Sequence, residues 1–273
     1  MGKIGVTGTS GYVGGLIARL LEAAGFEVVR FERKAVNSDI RVYDLNCLAD
    51  NLLIDDISVM IHCAYDFRSR GREEVFKTNV DGSSNLAKVC CEKSVKFIFI
   101  SSVSAFDESA SIYGQAKRES EKVVLNLGGF VIRPGLVFSN RSGGMIGALE
   151  RVIKFPVIPI VSGDTPLYVT DVDGLVTIIQ KIIQLERPLS RPVVAVYRYP
   201  YSFRGLLISL AARNNRKPPI LIPVPSKFVL MFLRCLEALG FRPKLRSDSL
   251  ISLLNPNRKV EIIDSWTDCF RSL

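Results

Sequence analysis

Histidine is almost absent from this chain of 273 residues, because His62 is the only one. A zinc site built on two or more histidines is therefore excluded, and we expect no metal site. A Ser-His-Asp hydrolase would have to use His62, which lies in the predicted strand VMIHCA, and no G-x-S-x-G elbow is present to partner it. We expect a structural or backbone-positioning role for this histidine.

Long apolar runs and C-x-x-C spacings are also lacking. No window of about 18 apolar residues exists, so no membrane span is expected. The first residues, MGKIGVTGTSGYVG, do not have the pattern of a signal peptide, and Val6 breaks the myristoylation pattern. The six cysteines lie partly within apolar runs. We therefore expect reduced thiols and a cytoplasmic protein.

Acidic residues are scarce in the last third of the chain. Residues 1–186 carry a net charge of −1, whereas residues 187–273 carry +10. Such asymmetry suggests an anionic partner there, either a diphosphate-bearing substrate or a lipid surface, although a solvated basic face is an equal alternative. We expect no nucleic-acid partner, because no recognition motif accompanies the charge.

Strand and helix patterns alternate along the first half of the chain. Residues 3–7 read as a buried strand, and an apolar periodic helix follows that ends at Gly25. Further strands are predicted at FEVVRF, IRVYDL, SVMIHCA, VKFIFIS and GFVIRP, with helices over residues 73–93 and 111–126. This order predicts an α/β fold with a doubly wound parallel sheet. We expect residues 1–138 to form its main domain, with a return near 168–200, and residues 139–273 to form mainly a smaller lobe.

A glycine-rich turn joins the first strand to the first helix. Gly8, Gly11 and Gly14 form a G-x-x-G-x-x-G array in the βαβ context that makes such an array informative. Without Cβ atoms, a pyrophosphate can approach the helix N-terminus, where free N–H groups favour anions. The alternative is a tight turn without a ligand. At the end of the second strand, Glu32 favours NAD, whereas Arg33 and Lys34 would suit the 2′-phosphate of NADP, so both stay open with NAD favoured.

Seven motifs in order carry a family resemblance. They are TGTSGYVG at 7–14, Asp44-Leu45, IHCA at 61–64, TNVDGSSNL at 78–86, ISS at 100–102, Y-x-x-x-K at 113–117 and IRPGLVF at 132–138. Together they resemble the extended short-chain dehydrogenase/reductase family, in its NAD-dependent epimerase/dehydratase branch, with likeness to sugar-nucleotide epimerases. The resemblance implies a Rossmann-type sheet that binds NAD or NADP and a smaller C-terminal substrate lobe.

The resemblance also implies residue roles. Ser102, Tyr113 and Lys117 would form the catalytic set, and Asn79 would support the active-site helix. The residues expected at the cofactor are Gly8, Ser10, Gly11, Tyr12, Val13, Gly14, Glu32, Arg33, Asp44, Leu45, Cys63, Ala64, Tyr65, Asn79, Ser101, Tyr113, Lys117, Pro134, Gly135 and Val137. In place of the Asp-Glu pair typical of sugar dehydratases stand Val103 and Ser104. Elimination of water needs an acid and a base there, so 4,6-dehydration is disfavoured.

The catalytic set suits hydride transfer at a carbinol carbon. A free tyrosine has a pKa of roughly 10, and lowering it by about three units requires ~4 kcal/mol of preferential phenolate stabilisation. A lysine ammonium about 4 Å away would supply that much at an effective dielectric near 20. Since four residues separate Tyr113 from Lys117, one helical turn places both on one face. We therefore expect a lowered tyrosine pKa, with Ser102 donating to the substrate oxygen.

Three functions are compatible with these residues. The first is an NAD(P)-dependent epimerase or reductase acting on a nucleotide-activated sugar, with Arg213 and Arg246 as candidates for holding its diphosphate. The second is a reductase of a non-sugar or lipid-like carbonyl, favoured by the short gap of 11 positions between Ser102 and Tyr113. The third is a non-catalytic cofactor-binding subunit. The oligomeric state is left open, with a homodimer as one alternative.

The segment SKFVLMFLRCLEALGF, residues 226–241, is apolar around most of its circumference. It is too short to span a bilayer. We expect a buried helix of the smaller lobe. The alternative is a helix that lies on a membrane or covers a lipid-linked substrate, flanked by Arg242, Lys244 and Arg246.

Overall fold

The computed structural model describes most of the chain. The described residues are 2–34, 39–47, 54–69, 71–161, 163–239, 246–258, 260, 266 and 269–273. Arg242 and Lys244, which were expected to flank the C-terminal helix, lie outside them.

Thirteen strands occur in the described residues. In chain order they are β1 Lys3–Thr7, β2 Val28–Glu32, β3 Ile40–Val42, β4 Ile57–His62, β5 Lys96–Ile100, β6 Phe130–Pro134, β7 Leu136–Phe138, β8 Val157–Ile160, β9 Pro166–Leu167, β10 Val169–Asp171, β11 Val193–Ala195, β12 Tyr201–Ser202 and β13 Ile220–Pro223. Seven of them form one sheet in the order β11-β6-β5-β4-β1-β2-β3, with every neighbouring pair parallel. The expected doubly wound parallel sheet is confirmed.

Nine α-helices accompany these strands in the described part of the chain. They are α1 Tyr12–Ala23, α2 Gly71–Val75, α3 Gly82–Glu92, α4 Ile112–Asn126, α5 Gly144–Val152, α6 Val172–Gln184, α7 Phe203–Arg213, α8 Ser226–Ala238 and α9 Ser247–Leu254. Helices α1 and α6 pack on one face of the sheet, and α3 and α4 on the other, each over its own apolar cluster. None of these helices is long and apolar enough to cross a membrane.

The strand order reverses between β1 and β4. From β1 the chain moves outwards to β2 and β3, whereas β4, β5, β6 and β11 extend the sheet in the opposite direction. In open α/β sheets, ligands bind at the carboxyl ends of the strands beside such a reversal. The fold therefore places a binding crevice beside the glycine turn that follows β1.

The smaller lobe is built from three two-stranded pairings and the helices around them. β8 pairs with β13, β7 with β10, and β9 with β12. Helices α5 and α7 cover Ile158 and Ile160 of β8, forming a separate apolar cluster. Residues beyond 168 also contribute α6 and β11 to the main sheet, while the domain boundaries proposed above stay a prediction.

Two segments differ from the expected pattern. The helix expected over residues 73–93 is interrupted by a π-helical segment, Phe76–Asp81. The expectation that α8 is buried is wrong, because Leu233 is its only fully buried side chain and Phe228 is 63% exposed. Apolar residues around a whole helix do not show which side of it is packed against the protein. In α8, the apolar side that contains Phe228 faces outwards, whereas the side that contains Leu233 is buried.

A buried ion pair joins helix α4 to the sheet. The carboxylate of Glu121 is fully buried and accepts two hydrogen bonds from the Arg133 guanidinium on β6, at 2.8 and 2.6 Å. It also accepts one from the hydroxyl of Ser101, just after β5, at 2.5 Å. Because the charge is paired and bonded from two neighbouring strand ends, these contacts fix how α4 is rotated against the sheet.

We expect Glu121→Ala to destabilise the protein by about 3–5 kcal/mol, because it leaves the partly buried Arg133 charge without this carboxylate partner. Urea unfolding followed by circular dichroism measures this change. The matched control is Glu119→Ala on the same helix, whose ion pair with Lys122 is half exposed and is worth less than ~1 kcal/mol. Equal losses in both variants would contradict the importance of the Glu121 contacts.

Candidate active site

The glycine turn allows close backbone approach at the edge of the crevice. Gly8 has a φ of +72°, and a Cβ on it would lie 2.9 Å from the backbone of Ala64. A Cβ on Gly14 would lie 2.5 Å from the carbonyl oxygen of Gly8. No described side chain caps the N-terminus of α1, and residues 11–14 line the crevice. This arrangement fits the pyrophosphate of a dinucleotide, because backbone N–H groups at a helix start favour anions.

His62 braces the strand ends beneath this turn. The hydroxyl of Thr7 accepts hydrogen bonds from the backbone N–H groups of Cys63 and Ala64, so it donates its own proton to Nδ1 of His62 at 2.7 Å. Nε2 of the same ring then donates to Ser83 at 3.0 Å. Burial lowers the pKa of His62 to about 3, which keeps the ring neutral. The histidine is therefore structural, as we expected.

The crevice is a groove of about 490 Å³ that gathers nearly all of the residues expected at the cofactor. The expected residues that line it are Gly8, Ser10, Gly11, Tyr12, Val13, Gly14, Glu32, Arg33, Asp44, Leu45, Cys63, Ala64, Tyr65, Ser101, Tyr113, Lys117, Pro134, Gly135 and Val137. The other lining residues, apart from Ser102, are Phe31, Tyr43, Asp66, Phe67, Ile100, Leu136, Gly144 and Met145. Of these, Ile100 and Leu136 lie within the motifs ISS and IRPGLVF, and Phe31, Tyr43 and Asp66 are sequence neighbours of expected residues, which was the available signal.

Asn79 is the exception among the expected cofactor residues. Its side chain is buried outside the groove lining, where Oδ1 accepts from the backbone N–H of Asp66 at 2.6 Å. Nδ2 donates to the carbonyl oxygens of Asp66 and Val75. The asparagine therefore holds the loop after β4 against the π-helical segment, and its effect on the groove is indirect.

At the outer end of the groove, one acidic and one basic side chain follow β2. The carboxylate of Glu32 accepts a hydrogen bond from the Thr9 hydroxyl at 2.7 Å. Arg33 lies 3.5 Å from the carboxylate of Asp66, which also binds Arg68. The Glu32 carboxylate is thus fixed at the position expected for the ribose, whereas the Arg33 guanidinium already has Asp66 as its acidic partner.

At the inner end, Ser102, Tyr113 and Lys117 come together. Lys117 is 4% exposed and donates from Nζ to the carbonyl oxygen of Ile100 at 2.8 Å. Burial lowers the pKa of Lys117 to about 8. Burial raises the pKa of Tyr113 to about 12, and a hydrogen bond with Ser102 only partly opposes this rise. The expected lowering of the tyrosine pKa is therefore not found, because removal of the phenolate from water outweighs the favourable contacts in the protein alone.

A second cavity, of about 600 Å³, opens from the same residues towards the smaller lobe. Ser102, Tyr113, Leu136 and Met145 line both spaces, so the groove and the cavity meet at the hydroxyl groups of Ser102 and Tyr113. Most of the remaining lining is apolar and includes Val103, Phe106, Leu149, Val152, Ile158, Val161, Leu167, Phe203, Leu207, Val229, Leu250 and Leu253.

The two arginines expected to hold a diphosphate lie in different places. Arg246 lines the second cavity, and its guanidinium donates to the carbonyl oxygen of Phe67. Arg213 does not line the cavity; it is exposed and donates to the carbonyl oxygen of Ser139. The structure therefore brings one of the two to the site.

Asp248 of α9 is a site residue that no motif indicated. Its carboxylate accepts hydrogen bonds from the backbone N–H groups of Ile112 and Tyr113, at 2.8 and 3.0 Å. Ser111 accepts from the next N–H group, that of Gly114. Together they satisfy the free N–H groups in the first turn of α4, which carries Tyr113. No sequence signal could have found this contact, because 135 positions separate Asp248 from Tyr113.

Comparisons with known proteins give one family model and one distant relative. The model of the NAD dependent epimerase/dehydratase family matches residues 4–128. A ceramide reductase of Caulobacter vibrioides (strain NA1000 / CB15N) is 25% identical over 172 residues, which cover 59% of this chain and 54% of the relative. The chain thus spans about half the length of that relative.

Solved structures share the fold at low identity. A dTDP-4-dehydrorhamnose reductase from Bacillus anthracis str. Ames in complex with NADP superposes with a TM-score of 0.69 at 18% identity, covering 93% of this chain and 99% of the other. A UDP-glucose 4-epimerase of Thermus thermophilus in complex with NAD has a TM-score of 0.65 at 19% identity, covering 92% and 97%. At these identities the likeness establishes the fold alone.

We expect Asp248→Ala to lower the rate of the chemical step by about tenfold to a hundredfold, because small displacements of a catalytic group are costly. Loss of the cap would also cost about 0.5–2 kcal/mol of stability. Steady-state kinetics and thermal unfolding measure the two effects. Asp173→Ala, which removes another carboxylate from the first turn of a helix, is the control. A variant that loses stability but keeps its kcat would contradict the positioning role.

Proposed function

We propose that this chain, whose residues 4–128 match the model of the NAD dependent epimerase/dehydratase family, is an NAD(P)H-dependent reductase of a ketone carried on a largely apolar, lipid-like substrate. The observation that carries the proposal is the apolar cavity that meets the cofactor groove at Ser102 and Tyr113. A bound reduced nicotinamide would supply the hydride.

The protonation of the site is compatible with reduction. Because the pKa of Tyr113 is raised to about 12, the tyrosine carries its proton at neutral pH and can donate it to the ketone oxygen as hydride arrives. Ser102 lies beside it and is placed to donate a hydrogen bond to the same oxygen. Lys117, one turn further along α4, holds positive charge below about pH 8 and would stabilise the negative charge that develops on the tyrosine.

The cavity chemistry supports an apolar substrate. A volume of about 600 Å³ is in the range of ligand pockets, and burial of hydrocarbon there is favourable by ~25 cal/mol per Å². Among the described lining residues the charged ones are Asp66, Arg246 and Asp248. Two carboxylates and one arginine are a poor environment for a diphosphate. That the Caulobacter relative is named a ceramide reductase agrees with a lipid-like substrate.

A nucleotide-activated sugar is the second candidate substrate, with epimerisation or reduction as the reaction. The solved structures with the same fold include a nucleotide-sugar epimerase and a deoxysugar reductase, which favours it. Among the described residues that line the cavity, Arg246 alone carries a positive charge, so it would have to bind the diphosphate of such a substrate. A third candidate, a cofactor-binding subunit without activity, does not account for Tyr113 and Lys117 lining the same groove.

We propose NADH rather than NADPH as the hydride donor. Glu32 lies in the groove lining with its carboxylate fixed by Thr9, where it suits ribose hydroxyls and would repel a 2′-phosphate. Arg33, the residue best placed to attract that phosphate, is paired with Asp66.

Tyr113→Phe should lower kcat by about a hundredfold or more, because it removes the proton donor while keeping the ring. The affinity for NADH, measured by fluorescence titration, should stay within about threefold. Tyr197→Phe, which removes a hydroxyl outside both cavities, is the control for general damage. Unchanged turnover by Tyr113→Phe would contradict the role of Tyr113 as proton donor.

The pH dependence of the wild-type enzyme is a separate prediction. The value of kcat/KM for reduction should fall as pH rises above about 8, since Lys117 then loses its charge while Tyr113 stays protonated.

A substrate series decides between the candidates. With NADH in excess, kcat/KM should rise with the length of a linear ketone by up to about fourfold per added methylene, which corresponds to ~0.8 kcal/mol of burial. Short water-soluble ketones provide the internal reference. UDP-glucose and other nucleotide sugars should neither be turned over nor compete. Turnover of a nucleotide sugar without any effect of chain length would favour the second candidate, and no hydride transfer to any substrate would favour the third.

A further inference from the structure

Helix α8 presents an apolar stripe to solvent. Phe228, Met231, Phe232 and Leu239 are 63%, 60%, 61% and 74% exposed, and Cys235 between them is exposed as well. These five residues, called the outer stripe below, follow the spacing i, i+3, i+4, i+7 and i+11, so they lie along one side of the helix. The opposite side, with Leu233, packs against Val161 and α9.

A strand pair beside α8 is apolar on its outer face too. Val157 of β8 is the register partner of Ile220 of β13, and Pro159 is the partner of Ile222. All four are exposed, and register partners point to the same side of a sheet. Phe155, just before β8, is 65% exposed. These five residues form a second apolar surface, called the ribbon face below.

Both surfaces border the proposed substrate cavity. Pro159 of the ribbon face lines it, as does Val229, the neighbour of Phe228 on α8. Val152, which is 36% exposed, lies at the same opening. Exposed apolar surface therefore continues into the apolar interior, and patches of this kind mark interaction sites in soluble proteins.

Basic side chains lie near these surfaces. Residues 187–236 carry nine basic side chains and no acidic one. Exposed Lys227 and Arg234 flank the outer stripe, and Lys154 and Lys217 precede the paired strands β8 and β13. The carboxylate of Glu237 is turned towards α9, where it accepts two hydrogen bonds from Ser247. The exposed charge near the apolar surfaces is thus positive.

We propose that the outer stripe and the ribbon face dock on an anionic phospholipid bilayer, and that the cavity takes its substrate from there. Apolar residues bordered by Lys and Arg are what binds the headgroup region of such a bilayer. The 13 residues of α8 lie along the surface, since crossing would need about 20. A second copy of the chain is a poorer occupant, because it would bring the same positive charge against itself. The entry route rests on the proposed function, whereas the bilayer contact does not.

Co-sedimentation with vesicles tests the docking without any substrate. The full chain should bind vesicles of phosphatidylcholine with about one third phosphatidylglycerol, and should bind pure phosphatidylcholine vesicles at least tenfold more weakly. Added salt should weaken binding to the anionic vesicles, because it screens the exposed charges.

Two double variants separate the apolar and the charged contributions. Phe228→Ser with Phe232→Ser should weaken binding to the anionic vesicles at least tenfold, which corresponds to ~1.4 kcal/mol. Lys227→Gln with Arg234→Gln should weaken it by about fivefold per charge and reduce the preference for phosphatidylglycerol. Val42→Ser, at an equally exposed apolar position on β3, should bind as the wild type does.

Activity distinguishes this inference from the proposed function. Turnover of a water-soluble ketone should be unchanged in both double variants, while turnover of a long-chain ketone embedded in vesicles should fall with binding. If no ketone is reduced, the proposed function fails and the vesicle result still stands. Absence of wild-type binding, or equal losses in Val42→Ser and the phenylalanine variant, overturns the docking. A dimer in size-exclusion chromatography with light scattering that the phenylalanine variant dissociates also overturns it, in favour of a second copy.

Discussion

The buried carboxylate of Glu121 is the contact on which the reacting end of the groove depends. Tyr113, Lys117 and Glu121 follow one another at intervals of four, so they share one face of α4. Arg133 and Ser101 hold the last of the three from two adjacent strands, and Ser101 immediately precedes Ser102. One ion pair therefore fixes the positions of α4 and Ser102 relative to each other. Such a contact is worth more for geometry than for stability, because the cost of dehydrating both charges offsets much of their attraction.

The smaller lobe holds the other end of the same helix. Asp248 binds the first N–H groups of α4, and Ser252 of α9 lies 3.1 Å from the hydroxyl of Ser104. Residues of α9 also line the second cavity. Part of the wall of that cavity and the cap on the helix of Tyr113 are consequently parts of one element. A ligand that shifts α9 would move Asp248, and this would directly change the position of Tyr113, the proposed proton donor.

The parts that were predictable from sequence depend on local signals. The strand after Gly2, the glycine turn and α4 follow from short apolar periods and residue types at fixed offsets, and the structure places them within a few residues of the expected bounds. The family resemblance supplied the pairing of Ser102 with Tyr113 and Lys117. These features survive because each is encoded within about one supersecondary unit.

The parts that were missed depend on tertiary contacts. The side chain of Asn79, in the π-helical segment, binds a loop that lies 13 positions earlier in the sequence. Asp248 caps the helix of Tyr113, from which 135 positions separate it. The predicted direction of the Tyr113 pKa shift was wrong. The spacing of Tyr113 and Lys117 indicates a nearby ammonium group, but it does not show that the phenol is removed from water. Likewise, the apolar residues of α8 indicate a helix, but only the packing shows which side stays exposed.

The placement of charge bears on what the protein recognises. If the excess positive charge served a phosphorylated substrate, the cations would converge in the cavity, yet its described charged residues are two carboxylates and Arg246. Arg213 was expected there and instead binds Ser139 at the surface. Lys217, Lys227 and Arg234 lie outside the cavity, near the exposed apolar side chains of α8 and β13. In the proposed function, charge and apolar surface act together at the exterior and the interior selects by shape and hydrophobicity, as expected of an enzyme that meets its substrate at an interface.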